Sequence, residues 1–516
     1  MKTMLAVLSA AAVLVAGCGH YLPLEPYRYR LADPSVICPD SEGKRAACTN
    51  TSSEASRRYD LHYVEFDDQG LQYPDDYERV VAKFAPGELA APPDCDQKRN
   101  DCLFKRAWAY QINNLIKQLN VSAEAGPITL IVFVHGWKHN AKDDDPNLEN
   151  FRKLLDTAAL IEEQRRASSP GERPRRVVGV YVGWRGLSVD VPGLKELTFW
   201  SRKTAAMHVA QGSSRELFAR LRSFKCVQNA KSASDGTRNC NRPPEKADKV
   251  RIILIGHSFG GLILYNSISG TLIESMTHAF DANGEAHSPY WRFADLAVLI
   301  NPAFESTRYT PLHRIAASSR YERYETPLLV TVTSTTDRAT RVAFKWGRAF
   351  NSLFEQHVDD EEKDANRETV GHHTPYVTHR LEVAEPSEPG LCAGWKVTPA
   401  NASLEEAKRD LDTDLPIEYE NSKHFFRTRG ERFGSDDFRL TDDNRPLVRD
   451  FCGGVRLTSV AGDRNVPIWN VSAIGNEALL PDHNDIMQPL FVAFFRQLYM
   501  DTIYLKDMTD DIRQGR

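Results

Sequence analysis

The stretch KVRIILIGHSFGGLILYN, residues 249–266, contains a run of branched apolar residues that ends at Gly-His-Ser-Phe-Gly-Gly. Apolar residues resume directly after the glycines, which predicts a buried strand, a tight turn and then a helix. Ser258 is the central residue of a G-x-S-x-G pattern, in which glycines leave room for a turn that presents a serine hydroxyl at the end of a strand. In this context the pattern predicts a nucleophilic serine; a turn serine without chemistry is the alternative.

Six apolar runs with strand composition alternate with segments of helical periodicity along the chain. Most of these runs are nearly continuous in Val, Ile and Leu, which is typical of parallel strands covered on both faces. The alternation predicts an α/β fold with a mostly parallel central sheet and helices on both faces. The predicted strands are residues 128–134, 177–182, 250–255, 296–300, 328–333 and 468–473.

Three segments depart from this alternation. Residues 18–58 are rich in Pro, Ser, Arg and Cys and predict a tether and irregular arm, and residues 59–73 predict an antiparallel hairpin on the sheet edge. Residues 342–462 are charged and poor in apolar runs. Because this stretch exceeds an ordinary connection, we expect an insertion after the fifth strand that covers one end of the sheet and could act as a lid. Residues 59–516 would then form one domain.

A serine nucleophile needs a base that takes its proton and a third group that orients the base. On a sheet with such a turn the chain order is serine, acid, histidine. Asp337 follows the fifth predicted strand, at the edge where open α/β sheets keep their sites, although a helix N-cap is the alternative. His483 lies in the loop between the last strand and the last helix. The sequence therefore predicts a triad of Ser258, Asp337 and His483.

Other residues compete for the roles of acid and base. Glu305, after the fourth predicted strand, is the second candidate for the acid. The base is the more open assignment, because the insertion lengthens the interval between acid and histidine. The competing histidines are His372, His373 and His379, followed by His357 and His424.

Two turns are candidates for an oxyanion hole. The amide of Phe259 opens the helix after Ser258, where N–H groups favour negative charge. The first predicted strand ends in VHGWKHN, residues 134–140, and its His-Gly resembles the oxyanion loop of lipases and esterases. On this resemblance the amide of Trp137 is the second donor, and the His135 side chain supports the loop. His135, His139 and the acidic residues 143–145 complete no ligand set, so no metal is expected.

Together these stretches resemble the α/β-hydrolase superfamily, and more narrowly bacterial serine esterases with a VHGW…GHSFGG pattern. The resemblance covers about residues 125–340 and 465–500, and the HGGG form of the oxyanion loop is absent. It implies an α/β-hydrolase fold that cleaves carboxylic esters through an acyl-enzyme, without a metal or organic cofactor. A thioesterase or amidase, or a catalytically inactive lipoprotein acting in binding or envelope assembly, is the alternative, because a fold does not determine an activity.

The first residues are typical of an export signal. Lys2 precedes an apolar segment too short to cross about 30 Å of hydrocarbon, so residues 1–17 are expected to be a signal peptide. The sequence VAGC resembles a bacterial lipobox, which implies lipidation of Cys18. Gly19 then implies an outer-membrane lipoprotein facing the periplasm. An ordinary secretory signal is the alternative.

Cysteine content and charge agree with an exported protein. Eight of the nine cysteines remain after Cys18, and an even number suggests disulfides, with free thiols as the alternative. A net charge of −5 argues against a nucleic-acid partner. The expected partners are an ester substrate, with a lipid or acyl group as one option, and a membrane reached through the anchor. The simplest disulfide pairs are Cys38/Cys48, Cys95/Cys102, Cys226/Cys240 and Cys392/Cys452.

Overall fold

The computed structural model describes residues 37–39, 45–47, 53–55, 58–72, 111–168, 175–189, 198–232, 248–286, 290–319, 321, 326–345, 348, 355–399, 402–432, 446–460, 466–474 and 477–515. The strands are β1 Ile37–Pro39, β2 Arg45–Ala47, β3 Ser53–Ala55, β4 Tyr59–Phe66, β5 Ile128–Val134, β6 Arg176–Trp184, β7 Val250–His257, β8 Leu296–Ile300, β9 Leu329–Ser334, β10 His379–Val383, β11 Val448–Phe451, β12 Val455–Ser459 and β13 Ile468–Ala473. The helices are α1 Gln111–Ala125, α2 Pro146–Ser168, α3 Phe199–Gln211, α4 Ser214–Ser232, α5 Phe259–Ala279, α6 Thr310–Ser318, α7 Asp360–Arg367, α8 Leu404–Arg432 and α9 Pro489–Arg513.

One large sheet organises the described chain, with the strand order β11-β12-β10-β13-β9-β8-β7-β5-β6-β4-β3. The eight neighbouring strands from β10 to β4 all run parallel. The remaining strands, β12, β11 and β3, join antiparallel at the two edges. The predicted α/β fold with a mostly parallel central sheet is therefore confirmed.

Helices cover both faces of this sheet. Helices α1, α3, α4 and α5 pack on one face, where side chains such as Phe218 and Leu262 are fully buried. Helices α2 and α9 pack on the other face with Phe151 and Phe494. Burying each such side chain contributes about 1.5–3 kcal/mol, so the two apolar layers between the helices and the sheet stabilise the fold. Among the described residues, no helix combines the length and apolar character needed to cross a membrane.

The sheet edges differ from the sequence prediction. Residues 59–66 form β4, a strand parallel to β6, and the antiparallel return is limited to a single bridge between Phe66 and Gln72. The predicted hairpin at residues 59–73 is therefore wrong. Residues 342–462 were expected to cover one end of the sheet, but their described part extends the sheet sideways with β10, β12 and β11. Helix α8 of the same stretch packs against α2 and α9.

A disulfide ties this extension together. Cys392 and Cys452 are bonded, with their Cα atoms 5.4 Å apart, as predicted for this pair. Cys226 is also disulfide-bonded, and its predicted partner Cys240 lies outside the described residues. The signal peptide, Cys18 and the Cys95/Cys102 pair lie outside them as well, as do most residues of the arm at 18–58.

The turn after β7 is possible because three glycines allow the backbone to approach its neighbours. A Cβ atom on Gly260 would lie 2.0 Å from the carbonyl oxygen of Val134. A Cβ on Gly256 would lie 2.7 Å from the carbonyl oxygen of Gly260, and one on Gly261 would lie 2.9 Å from Pro302 Cβ. The first turn of α5 therefore packs directly on the end of β5, with backbone against backbone.

We expect Gly260→Ala to abolish folding or to lower the free energy of unfolding by more than about 3 kcal/mol, because a backbone carbonyl cannot yield to the added methyl group. Urea unfolding monitored by circular dichroism measures the change. Gly270→Ala in the same helix is the matched control, since nothing lies within 4 Å of its added Cβ. That variant should gain about 0.5–1 kcal/mol from helix propensity. Equal stability of the two variants would contradict the packing argument.

Candidate active site

The parallel sheet brings four separate parts of the chain to one edge. The carboxyl ends of parallel strands lie at the same edge, which is where open α/β sheets form their sites. Gly136 follows β5, Ser258 follows β7 and Asp337 follows β9, while the loop after β13 carries His483. Strands β5 and β7 are direct neighbours, and a Cβ on Gly136 would lie 2.9 Å from Ser258 Cβ.

Ser258 occupies a strained backbone conformation, with φ of 55° and ψ of −119°. Such a conformation costs on the order of 1–3 kcal/mol in a residue with a side chain and persists only where the surroundings hold it. Three backbone hydrogen bonds do so here. The Ser258 amide donates to Ile300 (3.0 Å), and its carbonyl accepts from Leu262 and Ala303, both at 3.2 Å. The strained turn directs the hydroxyl toward the loop after β13.

Ser258, His483 and Asp337 form one hydrogen-bonded chain. The Ser258 Oγ lies 2.9 Å from His483 Nε2, and His483 Nδ1 lies 2.7 Å from Asp337 Oδ2. Because an ionised carboxylate only accepts hydrogen bonds, the imidazole carries its proton on Nδ1 and leaves Nε2 free to accept the serine proton. The three residues predicted from the sequence therefore meet in the arrangement of a base-activated nucleophile.

Asp337 makes the hydrogen bonds of both roles considered for it from the sequence, a helix N-cap and the acid of a triad. Its Oδ1 accepts from the amides of Ala339 (2.9 Å) and Thr340 (3.1 Å), as a helix cap would. Its Oδ2 accepts from His483 and from the Thr340 hydroxyl (2.5 Å). Burial by itself raises the pKa of this carboxyl, but the hydrogen bond and charge of His483 and the bonds from Thr340 hold it below its ordinary value of 3.8. Asp337 is therefore ionised at neutral pH.

The competing acid lies elsewhere. Glu305 forms a buried ion pair with Lys203 and also contacts Arg308 (3.0 Å) and Arg348 (3.4 Å). Burial raises the pKa of Glu305, but Lys203 and Arg308 outweigh it and lower that pKa to about 2. Glu305 is thus a structural anion, and it does not contact His483.

The competing histidines have other partners. His372 Nε2 contacts the hydroxyl of Thr340 (3.0 Å), the same hydroxyl that donates to Asp337. His373 Nδ1 contacts Glu368 (3.1 Å), and His379 packs on Trp469 with 4.6 Å between ring centroids. Burial lowers the pKa of His379 to about 3. The weaker candidates, His357 and His424, contact Asn366 and Glu388 respectively.

The loop after β5 lies against Ser258 and is held by His135. The Nδ1–H of His135 donates to the Gly136 carbonyl (2.9 Å), and its Nε2 accepts from the Trp184 amide (3.1 Å). Burial lowers the pKa of His135 to about 4, so the ring is neutral and can act as donor and acceptor at once. Through these contacts His135 supports the loop after β5, as expected from the sequence.

One predicted oxyanion donor follows Ser258 in the chain, and the other lies in the loop after the neighbouring strand β5. Within the described residues, the amide N–H groups of Trp137 and Phe259 donate to no other protein group. Phe259 opens α5, where the helix dipole favours negative charge, and Trp137 follows the glycine that touches Ser258. An anionic oxygen bound to the Ser258 side could accept from both.

Two residues that were not predicted from the sequence hold the backbone of His483 through hydrogen bonds. The His257 Nε2–H donates to the His483 carbonyl (2.8 Å). The Asn301 side chain donates to the carbonyls of Asp482 (3.0 Å) and His483 (3.1 Å) and accepts from the Ser334 amide (2.9 Å). Asn301 directly follows β8, and this position after a buried strand is the feature of the sequence that could have identified it.

Aromatic rings border the site beside the oxyanion loop. Phe199 lies between Trp137 and Phe259, with ring centroids 5.0 and 4.9 Å away, and Trp200 continues this border toward Phe344. The turn at residues 183–186 lies at the carboxyl end of β6. Trp184 is buried against His135, and Arg185 pairs with Asp68, so the turn has a packing role.

No cluster of metal ligands accompanies this site in the described residues. Three or more His, Cys, Asp or Glu side chains nowhere converge there as metal ligands would. His139 instead contacts Asp145 at 3.1 Å, and Asp145 accepts from the amides of Asn140 and Asn147. These acidic and imidazole groups brace the loop before α2.

Asp337→Asn tests the electrostatic part of this description. The pKa of Asp337 is lowered in the folded state, so its ionised form stabilises the fold above the unfolded-state value of about 3.9. That stabilisation is lost as the pH falls through the folded-state pKa. We expect the variant to unfold about 1–3 kcal/mol more easily at pH 6, and the difference to shrink below pH 4.

Urea unfolding at pH 6, 5, 4 and 3 measures this difference. Asp144→Asn is the matched control, because its carboxylate is exposed and, among the described residues, forms an ion pair only with the exposed Lys142. Its stability should match that of the wild type at each pH. A difference for Asp337→Asn that grows on acidification would contradict the assigned ionisation.

Comparison of the chain with protein families, curated proteins and solved structures found no match. The function is therefore inferred from the chemistry of the residues that meet at this edge of the sheet.

Proposed function

We propose that the protein is a serine hydrolase that cleaves carboxylic esters through an acyl-enzyme, with Ser258 as nucleophile, His483 as general base and acid, and Asp337 as the group that orients the imidazole. One observation carries the proposal. The hydrogen-bonded chain from the Ser258 hydroxyl to the Asp337 carboxylate is unbroken, and it begins at a serine held in a strained turn. Strain of this kind clusters at sites where a group must be presented.

The reaction follows from the protonation states of these groups. His483 Nε2 takes the Ser258 proton as Oγ bonds to the ester carbonyl carbon, and the carbonyl oxygen becomes anionic. The tetrahedral intermediate then breaks its carbon–oxygen bond to the alcohol, which leaves with the proton from Nε2. Water attacks the acyl-enzyme in the same way, with its proton taken by His483. The carboxylic acid leaves and the proton returns to Ser258.

The amides of Phe259 and Trp137 would stabilise the anionic oxygen in both tetrahedral intermediates. Each such donor is worth about 10²–10³ in rate when it is fixed in advance. Both amides belong to backbone that is held in place by packing, since the first turn of α5 lies against β5 and His135 supports the loop. Neither N–H donates to another protein group in the described residues, so no hydrogen bond among those residues must break before an oxyanion binds.

The proposal has two further parts: the chain adopts an α/β-hydrolase fold, and the substrate carries an apolar acyl or alkyl group. The nucleophile strand β7 lies beside the strand that carries the oxyanion loop, with acid and base following on strands at the same edge. This matches the chain order of the superfamily that the motifs resemble. The rings of Trp137, Phe199 and Trp200 beside the site favour an apolar substrate group over a charged one.

The cellular location is a proposal from the sequence. The lipobox-like VAGC would place a lipid on Cys18 and tether the hydrolase to the outer membrane on its periplasmic side. An oxidising compartment would suit the Cys392–Cys452 disulfide, because such bonds persist outside the cytosol. The membrane partner would then be reached through the anchor, while the ester substrate meets the carboxyl edge of the sheet.

Labelling with an active-site fluorophosphonate tests the nucleophile. The wild type should be labelled, and Ser258→Ala should lose the label together with about 10⁴-fold or more of ester hydrolysis. Ser201→Ala is the matched control, since its hydroxyl is exposed and, in the part of the chain that is described, donates only to the Thr198 carbonyl. A folded wild type that remains unlabelled, or labelling of Ser258→Ala equal to that of the wild type, would contradict the proposal. A p-nitrophenyl ester series of increasing chain length then measures which acyl group is preferred.

Asn301→Ala tests whether the backbone of His483 must be held. We expect kcat to fall about 10- to 100-fold with KM nearly unchanged, because a small displacement of the imidazole affects proton transfer more than binding. Asn266→Ala is the control, as it loses one amide-to-carbonyl bond in α5 away from the base. Steady-state kinetics on a p-nitrophenyl ester, with circular dichroism to verify folding, gives both values. An unchanged kcat would show that the loop holds His483 without Asn301.

A further inference from the structure

The two oxygens of the buried Asp337 carboxylate each accept two hydrogen bonds. Oδ1 accepts from the amides of Ala339 and Thr340. Oδ2 accepts from the His483 ring (2.7 Å) and from the Thr340 hydroxyl (2.5 Å). A carboxylate offers about four acceptor positions, so these four donors use all of them. The Thr340 hydroxyl therefore shares one oxygen with the imidazole of the candidate base.

Proton counting fixes the direction of the next hydrogen bond. The Thr340 hydroxyl has one proton, and it donates that proton to the ionised Asp337, because a carboxylate can only accept. The same hydroxyl lies 3.0 Å from His372 Nε2, so the hydroxyl accepts there and His372 donates. His372 therefore carries a proton on Nε2, whereas His483 carries its proton on Nδ1. One directed chain runs from His372 through Thr340 to Asp337.

A glycine brings His372 to this place from the long segment that extends the sheet. A Cβ on Gly371 would overlap the side-chain oxygen of Thr333 in β9. Because glycine has no Cβ, the backbone before His372 can approach the strand that precedes the acid. The His372 amide also donates to the Thr369 carbonyl (2.9 Å). Packing and a backbone hydrogen bond thus hold this histidine beside the candidate triad.

The surroundings of His372 keep its ring neutral at neutral pH. Burial lowers the pKa of His372 below its ordinary value of 6.5, and the charged or titratable groups around the ring act in both directions: Asp337 and Glu368 raise this pKa, while Arg341 and His483 lower it. Lys345, which lines the same cavity as His372, is paired with Glu368 at 2.7 Å. His372 can therefore donate from Nε2 without bringing a positive charge that would compete with His483 for the carboxylate.

We propose that Thr340 and His372 are positioning residues for Asp337 and that they set the basicity of His483 through it. His372 directs the Thr340 proton at Asp337 Oδ2, and that proton disperses negative charge on the oxygen that holds the imidazole. The carboxylate then orients His483 without stabilising its protonated form too strongly, which suits a base that must release its proton again. The role in catalysis rests on the proposed hydrolysis, whereas the effect on His483 requires no turnover.

NMR titration of histidine-labelled protein tests the effect on His483 directly. Thr340→Val keeps the shape of the side chain and removes the hydroxyl, so the midpoint of the His483 titration should rise by about 0.5 pH or more. Thr340→Ser keeps the hydroxyl and should restore the wild-type midpoint. Thr502→Val is the matched control, because it removes a fully buried hydroxyl of α9 that, among the described residues, donates to the Leu498 carbonyl. It should leave the midpoint unchanged.

Two variants of His372 test the order of the chain. His372→Phe removes the donor and should raise the His483 midpoint by less than Thr340→Val does, while His372→Gln supplies an amide N–H and should restore it. Because His372 acts through the hydroxyl, His372→Phe should have no further effect in a Thr340→Val background. Additive shifts in the double variant would overturn the assigned chain.

The pH dependence of p-nitrophenyl ester hydrolysis tests the role in catalysis. For Thr340→Val, kcat should fall about 3- to 10-fold with KM nearly unchanged, because the acid is held by one donor fewer. The acidic limb of kcat/KM should move to higher pH together with the His483 midpoint. An unmoved midpoint, or equal midpoints for Thr340→Val and Thr340→Ser, would overturn the proposal. A shifted midpoint in a protein that fluorophosphonate does not label would support the hydrogen-bond chain and contradict the hydrolysis alone.

Discussion

The contact between Gly260 and the Val134 carbonyl is the constraint on which the rest of the site depends. With no Cβ in the way, the first turn of α5 lies directly on the end of β5. This approach sets Ser258 beside Gly136 and holds the serine backbone in a conformation that few residues with a side chain adopt. It also leaves the Phe259 amide without a hydrogen-bond acceptor among the described residues. A close backbone contact thus positions both the Ser258 hydroxyl and the Phe259 amide. The cost of strain is offset by the backbone bonds around the turn.

The position of the His483 imidazole depends on hydrogen bonds to the backbone of its loop more than on burial of its side chain. His483 lies in a loop, where side chains are usually mobile. Here its carbonyl accepts from His257 at the end of β7 and from Asn301, which follows the neighbouring strand β8. Its ring is held by Asp337, whose other oxygen caps the turn after β9. His483 is therefore held from the ends of three neighbouring strands at once, which fixes the geometry that the proposed proton transfer requires.

Several features could be predicted from the sequence because they are local. Continuous apolar runs indicated the parallel strands, and glycines around Ser258 indicated the tight turn. Asp337 and His483 were selected from their places after strands, since parallel strands end at one edge, and the structure brings both to Ser258. Their catalytic roles remain a proposal. The strand at residues 59–66 was misjudged because an alternating pattern does not show whether its partner runs parallel or antiparallel.

The sequence by itself determined the type of sheet, the turn at Ser258 and the order of the residues that meet there, because these depend on periodicity, glycine sterics and strand direction. Only the tertiary structure decided which histidine reaches Ser258 and that residues 379–383 and 448–459 extend the sheet. These depend on contacts between segments far apart in the chain. No local pattern carries that information, since the free energy of such contacts depends on which surfaces remain to be covered once the sheet has formed.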